Sequence, residues 1–272
     1  MRFSRLLTGL ARRATLAFVR VAFAGWLGTV VVLGFVASLP RPAPFGSRDL
    51  DVFLASGRAA VSGANPYSLV LRPGPDVNLN PPVSLLVFGP LARLPADAVL
   101  PLCYAASVLL AAWTYWRLIR AYAPLASPFQ YVWPLALAGV WLSLYNGQVY
   151  VGMEALGVCA YLALGQGRNR TAGLAIGALT ALKPNFALWP LLLLAGGEAP
   201  VALVAFATAA ALSLVPLAIW GPAIYWEWLL GAGTVARGLV VEPGNLSLFG
   251  MAAALRQASA SSPGAHGPGP GR

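Results

Sequence analysis

The strongest constraint on this chain is a series of long apolar runs that hold very few charges and end near basic residues. Residues 21–39 form the first run, after an N-terminal stretch that carries several arginines and no acid. As a helix, this run would cover about 28 Å, close to the thickness of a hydrocarbon core. The chain is 58% hydrophobic and 10% charged, far more apolar than soluble domains. The sequence therefore predicts a membrane protein, and it excludes a disordered chain or a disulfide scaffold.

The order of the runs predicts an all-α, polytopic transmembrane helical bundle whose N-terminus lies in the cytoplasm. The first run could also be a cleaved signal peptide, although its apolar core is long for one. After it we expect spanning or half-spanning helices at 99–118, 129–144, 149–164, 172–182, 186–195 and 201–220. Residues 1–256 are predicted to form one domain, and the Ala/Ser/Gly/Pro-rich residues 257–272 a disordered tail.

A long polar loop at 40–82 is predicted on the extracytoplasmic side. Within it, Leu50, Phe53 and Leu54 follow helical spacing, which indicates a short amphipathic helix lying on the bilayer. The apolar segment 82–95 is too short to span comfortably, so we expect a re-entrant or juxtamembrane half-helix. The positive-inside rule supports this choice, because Arg117 and Arg120, at the end of the next helix, then lie on the cytoplasmic side.

The net charge of +10 does not indicate nucleic-acid binding, since the basic residues lie at the ends of apolar runs and not on one soluble face. The chain has a single histidine, His266, and no metal-ligand spacing or nucleotide-binding motif. We therefore expect no metal, no cofactor and no nucleic-acid partner.

Two aspartates follow the first run closely. Asp49 or Asp51 could act as a general base on a hydroxyl at the membrane surface. Asp49 could equally be the N-cap of the amphipathic helix. Further along, Glu154 lies one turn inside a predicted helix, and the sequence leaves open whether it is structurally paired or functional.

A Lys-Pro break separates two short apolar segments and places one cation at depth. Lys183 could hold a lipid-linked phosphate there, or it could be a lysine that extends its side chain to the membrane surface. Asn146 and Gln148 lie in a tight external turn whose Asn-Gly pair is typical of turns. Asn80 precedes Pro81-Pro82, a pattern that predicts a helix cap followed by proline in the first turn.

Several short motifs, in this order, resemble those of glycosyltransferase family 87, a GT-C-type family of membrane enzymes. They are 49–53 (DLDVF), 63–67 (GANPY), 80–82 (NPP) with 90–95 (PLARLP), 146–149 (NGQV), 181–184 (ALKP) and, more faintly, 245–250 (NLSLFG). Two departures stand out. Asn80 occupies the place of a tyrosine in the family's Tyr-Pro-Pro motif, and the chain ends earlier than family members usually do, which suggests a C-terminally short copy.

The resemblance implies transfer of a hexose, mannose above all, from a polyprenyl-phosphate donor to an extracytoplasmic glycan or glycolipid hydroxyl, with inversion and without a metal. Asp49 maps to the family's base, with Asp51 as the fallback. Lys183, or secondly Arg93, would stabilise the phosphate, and Asn80, Asn146 and Gln148 would contact substrate. We expect Asp49 and Lys183 to share one cavity in a plasma-membrane protein. The alternative is a non-catalytic membrane protein, such as a transporter component or an inactive paralogue.

Overall fold

The computed structural model describes residues 20–21, 23–34, 36, 48–68, 78–122, 138–147 and 149–239. Helices and turns account for these ranges, and no strand occurs within them. The all-α class is therefore confirmed for the part of the chain that is described. The predicted tail at 257–272 lies outside it.

Short turns connect helices that follow one another closely along the chain. A 3-10 turn at Pro82–Ser84 leads into the third helix, and a second one at Pro184–Ala187 leads into the eighth. In chain order the helices are α1 (Phe23–Gly34), α2 (Arg48–Ser62), α3 (Leu85–Leu91), α4 (Ala96–Tyr122), α5 (Ala138–Asn146), α6 (Tyr150–Gly165), α7 (Asn169–Leu182), α8 (Leu188–Ala195), α9 (Ala199–Trp220) and α10 (Ala223–Leu239).

Two helices within the described residues are long and apolar enough to cross a membrane, Asp97–Tyr122 and Ala199–Trp220. The segment Pro82–Leu91 is short, as predicted, at about 17 Å when its 3-10 and α-helical rises are added. α4 continues to Tyr122 and not only to residue 118, which corrects the predicted helix end and places Arg120 inside the helix together with Arg117. The Arg117 guanidinium lies 5.5 Å from the centre of the Trp113 ring, a contact that suits a membrane interface.

The chain divides into two compact units, and α2, α3 and α9 each contribute residues to both. The first unit comprises Met1–Asp51 and Leu91–Leu212, and the second comprises Val52–Pro90 and Ser213–Arg272. In the first unit, α6, α7 and α9 pack through small residues. This core consists of Ala160, Ala163, Ala172, Ala175, Ile176, Val201 and Ala205.

Two glycines of α7 allow α9 to approach closely. Gly173 and Gly177 are four residues apart and therefore share one face of α7. A Cβ on Gly173 would lie 2.6 Å from the Cβ of Val204, and one on Gly177 would press against the Ala205 carbonyl oxygen. Small residues with this spacing are a common way of bringing membrane helices into contact. The pair therefore fixes α7 against α9 within the first unit.

The second unit contains most of α2, the helix that the sequence predicts as amphipathic, and buries it. Val52 to Ala60 are buried apart from Arg58, and the Phe53 and Phe88 rings lie 4.8 Å apart. Gly57 packs directly against the Phe88 carbonyl group of α3. The helix is confirmed, but its apolar face contacts protein, which corrects the expectation that it rests on the bilayer.

A helix that the sequence analysis did not predict, α10, completes the core of the second unit. Its Ile224 packs with Ala60, Tyr67 and Leu85. Two tryptophans, one at the end of α9 and one in α10, donate hydrogen bonds to carbonyl groups that are distant in sequence. Trp220 Nε1 donates to the Ala60 carbonyl at 3.1 Å, and Trp228 Nε1 donates to the Leu79 carbonyl at 3.0 Å.

The contact of α7 with α9 gives a testable prediction. We expect Gly177→Ala to lower the free energy of unfolding by about 1–3 kcal/mol, because the added methyl group overpacks the contact with α9. Thermal unfolding in detergent measures this change. Gly157→Ala is the matched control, since nothing lies within 4 Å of a Cβ at that helical position. Equal stability of the two variants would contradict the close contact.

Candidate functional site

The Lys-Pro break lies where the sequence predicts it. α7 ends at Leu182, and Lys183 is extended, with φ −150° and ψ 102°. Proline disfavours helical geometry in the residue before it and has no N–H of its own, so the helix ends here. Lys183 remains anchored on both sides. Its N–H donates to the Leu179 carbonyl at 2.8 Å, and its carbonyl accepts from the Phe186 N–H at 3.0 Å.

The side chain of Lys183 contacts Tyr150, and we call these two residues the lysine cluster. Lys183 Nζ lies 2.6 Å from the Tyr150 hydroxyl oxygen and 4.2 Å from the centre of its ring. Neither contact neutralises the ammonium charge, because a phenol and an aromatic face are both uncharged. Tyr150 is the first residue of α6 and directly follows the Asn-Gly-Gln-Val turn. The structure therefore brings the Lys-Pro break next to this turn.

The turn itself depends on one glycine. Asn146 is the last residue of α5 and is half-buried, and Gly147 follows with φ +61°. This left-handed conformation is costly for residues with a Cβ. The Gly147 N–H donates to the Leu144 carbonyl at 3.2 Å. Asn146 thus lies four residues before Tyr150, whereas Gln148 lies outside the described residues.

The two candidate bases differ in exposure. Asp49 and Asp51 both lie in the first turn of α2, so Asp49 is not the N-cap that the sequence allowed. Asp49 is half-buried and Asp51 is exposed. Residues two positions apart point to different sides of a helix. Of the two carboxylates, Asp49 is therefore the one partly shielded from solvent. Its expected proximity to Lys183 stays a prediction.

The Asn-Pro-Pro segment belongs to the second unit and is held by hydrogen bonds from several side chains. The Tyr67 hydroxyl donates to the Asn80 carbonyl at 3.2 Å, which joins the GANPY and NPP motifs. The Asn80 side-chain amide donates to Asn78 Oδ1 at 3.2 Å. Pro81 occupies the cap position and Pro82 the first position of the 3-10 turn. The proline placement is confirmed, but Asn80 is not the cap.

Two further charged residues are placed as follows. Arg93 is exposed in the turn between α3 and α4. Glu154 accepts a hydrogen bond from the Tyr115 hydroxyl of α4, which gives it a structural partner.

The sequence did not predict Tyr150 as the partner of Lys183. The sequence did contain a signal for it, because it is a polar aromatic residue at the start of an apolar helix, directly after a motif.

The buried Tyr67 phenol gives a prediction about pH. Burial raises the pKa of Tyr67 above its ordinary value of 10.0, and Tyr225 and Glu227 add to this shift. The folded state thus favours the neutral phenol, whose contribution to stability is complete below pH 10 and is lost at higher pH. We expect Tyr67→Phe to cost about 1 kcal/mol at pH 7 and to flatten the alkaline loss of stability. Equal alkaline slopes for the variant and the natural protein in thermal melts would contradict this account.

Comparison with known proteins identifies the family. The model of glycosyltransferase family 87 matches residues 78–267. No curated protein and no solved structure matches the chain. The matched segment begins after Asp49 and Asp51 and contains the other candidate residues, which are Asn80, Arg93, Asn146, Gln148 and Lys183. Family membership and the two apolar helices indicate a membrane glycosyltransferase that uses a sugar donor and an acceptor. Because the match covers more than half of its length, the chain belongs to glycosyltransferase family 87.

Proposed function

We propose that this protein transfers a hexose, with mannose as the expected sugar, from a polyprenyl-phosphate donor to the hydroxyl of a glycan or glycolipid acceptor. The observation that carries the proposal is the lysine cluster. It places an ammonium group with uncharged partners at a helix break, beside the turn that contains Asn146. A cation of this kind is suited to an anionic phosphate. The family supplies the reaction class, and the cluster suggests the chemistry of the donor.

The proposed reaction is a single displacement with inversion. The acceptor oxygen attacks the anomeric carbon, and the bond from that carbon to the phosphate oxygen breaks. Its electron pair goes to the departing polyprenyl phosphate, whose charge increases. Lys183 stabilises that charge, because preorganised positive groups act most strongly where charge develops in the transition state. Arg93 is the second candidate for this role.

Asp49 is the proposed general base and takes the proton of the acceptor hydroxyl. Its partial burial favours it over the exposed Asp51, since a base shielded from water is better placed to exclude hydrolysis of the donor. One base is sufficient for a displacement with inversion, by analogy with inverting glycosidases. Asn146 and Gln148 are the proposed hydrogen-bonding residues for sugar or phosphate, and the substrate contact expected of Asn80, which belongs to the second unit, stays a prediction.

We further propose a multi-pass arrangement in the plasma membrane, with the N-terminus in the cytoplasm. Arg168 and Arg170 are exposed at the turn between α6 and α7, and the positive-inside rule favours the cytoplasm for them. Tyr150 and Lys183 lie at the other end of these two helices, about 24 Å away along α6. The lysine cluster would then face the extracytoplasmic side, where the donor sugar is expected.

Transfer assays on the purified protein test this function. We expect Asp49→Asn to lower kcat about 10²–10⁴-fold with a polyprenyl-phosphate mannose donor, because the variant lacks the base. Asp51→Asn is the matched control in the same helical turn, and its activity should fall far less.

Full activity of Asp49→Asn would contradict the assigned base. Absence of transfer by the natural protein, together with uptake of a sugar into proteoliposomes, would instead support the alternative of a transporter component, because broken helices also form transporter sites.

A further inference from the structure

The contact of Tyr150 with Lys183 does more than place the lysine side chain. The Lys183 ammonium has three N–H donors, and its contact with the Tyr150 hydroxyl uses one of them. In this contact the hydroxyl oxygen accepts, so the hydroxyl keeps its own hydrogen for a further acceptor. The cluster therefore holds two kinds of donor, one charged and one neutral, whose heavy atoms lie 2.6 Å apart.

This separation is comparable to the spacing of two oxygen atoms on one tetrahedral phosphate. Tyr150 is also 43% exposed, and its contact with Lys183 lies at an exposed position, where a ligand can approach. Hydrogen bonds from a charged donor to phosphate are short and strong, and a second donor adds geometric selectivity. A site with only a flexible lysine would have the charge without that selectivity.

We propose that Tyr150 and Lys183 together form a two-donor clamp for the donor phosphate, in which Tyr150 hydrogen-bonds a second phosphate oxygen. This inference rests on the proposed function and assigns Tyr150 as a substrate-binding residue. The clamp recognises the phosphodiester of the donor and the phosphomonoester of the product in the same way. The ring face keeps Nζ near the hydroxyl through a cation–π contact, so both donors are in place before the lipid arrives.

A purely structural role of Tyr150 makes a different prediction from the clamp. If the ring alone anchors the ammonium, then Tyr150→Phe should behave like the natural protein, because phenylalanine keeps the aromatic face. If the hydroxyl binds phosphate, the same variant should lose donor affinity while the protein stays folded.

The experiment compares Tyr150→Phe with Tyr161→Phe in transfer assays. Tyr161 is on the same helix, is also exposed, and lies about 16 Å further along α6. We expect Tyr150→Phe to raise KM for the lipid donor about 10-fold or more, with kcat changed less than about threefold, because one hydrogen bond to a charged group is lost. Tyr161→Phe should leave KM unchanged. Equal KM values for the two variants would overturn the clamp.

Ligand binding without turnover supplies a second readout. A polyprenyl monophosphate should raise the melting temperature of the natural protein and of Tyr161→Phe, and should raise that of Tyr150→Phe much less. Tyr150→Trp, which restores an N–H donor on an aromatic ring, should recover part of the effect and keeps the test valid if the phenylalanine variant is unstable. Stabilisation by inorganic phosphate equal to that by the lipid would overturn recognition of a lipid donor.

Lys183→Met separates failure of the clamp from failure of the proposed function. We expect this variant to lose both transfer and stabilisation by the monophosphate. If it keeps both, the proposed phosphate site itself is wrong. Lys183→Met could instead lose both transfer and stabilisation while Tyr150→Phe behaves like the natural protein. That result would support the role of Lys183 and contradict only the role of Tyr150.

Discussion

The helix break at Pro184 is the constraint on which the candidate site depends. Pro184 has no N–H to donate and disfavours helical geometry in the residue before it, so α7 ends at Leu182 and Lys183 adopts an extended conformation. α6 and α7 have 16 and 14 residues and are joined by a short turn in which Gly167 has φ +66°. Two helices of similar length connected in this way bring the start of the first near the end of the second. This geometry explains why Tyr150 and Lys183 meet although they are 33 residues apart.

Close packing stabilises the helical hairpin that α6 and α7 form. Alanines from α6, α7 and α9 form the core of the first unit, and the two glycines of α7 bring its backbone against α9. Association of helices in a membrane gains little from the hydrophobic effect and depends on such contacts. A shift of α7 would move Lys183 relative to α6. The small residues therefore contribute to the site, although they lie away from it.

The sequence predicted α6, α7 and α9 within about three residues, because each is a continuous apolar run with a clear polar or glycine-containing end. It also predicted the break at Lys183, where proline has a direct stereochemical effect. It did not predict α10, which follows α9 after a turn at Gly221 with φ +77° and has a less uniform composition. Nor did the sequence predict the hydrogen bond from Tyr67 to the Asn80 carbonyl or the packing of α3 against α2. Such contacts depend on tertiary packing, which periodicity does not record.

The central claim is that the phosphate of a lipid-linked sugar binds at Lys183. A structure determined with a non-hydrolysable polyprenyl-phosphonate sugar tests it most directly. We expect the phosphonate group within hydrogen-bond distance of Lys183 Nζ, with the sugar extending toward Asp49. A phosphonate bound elsewhere, with Lys183 still in contact only with Tyr150, would contradict the account.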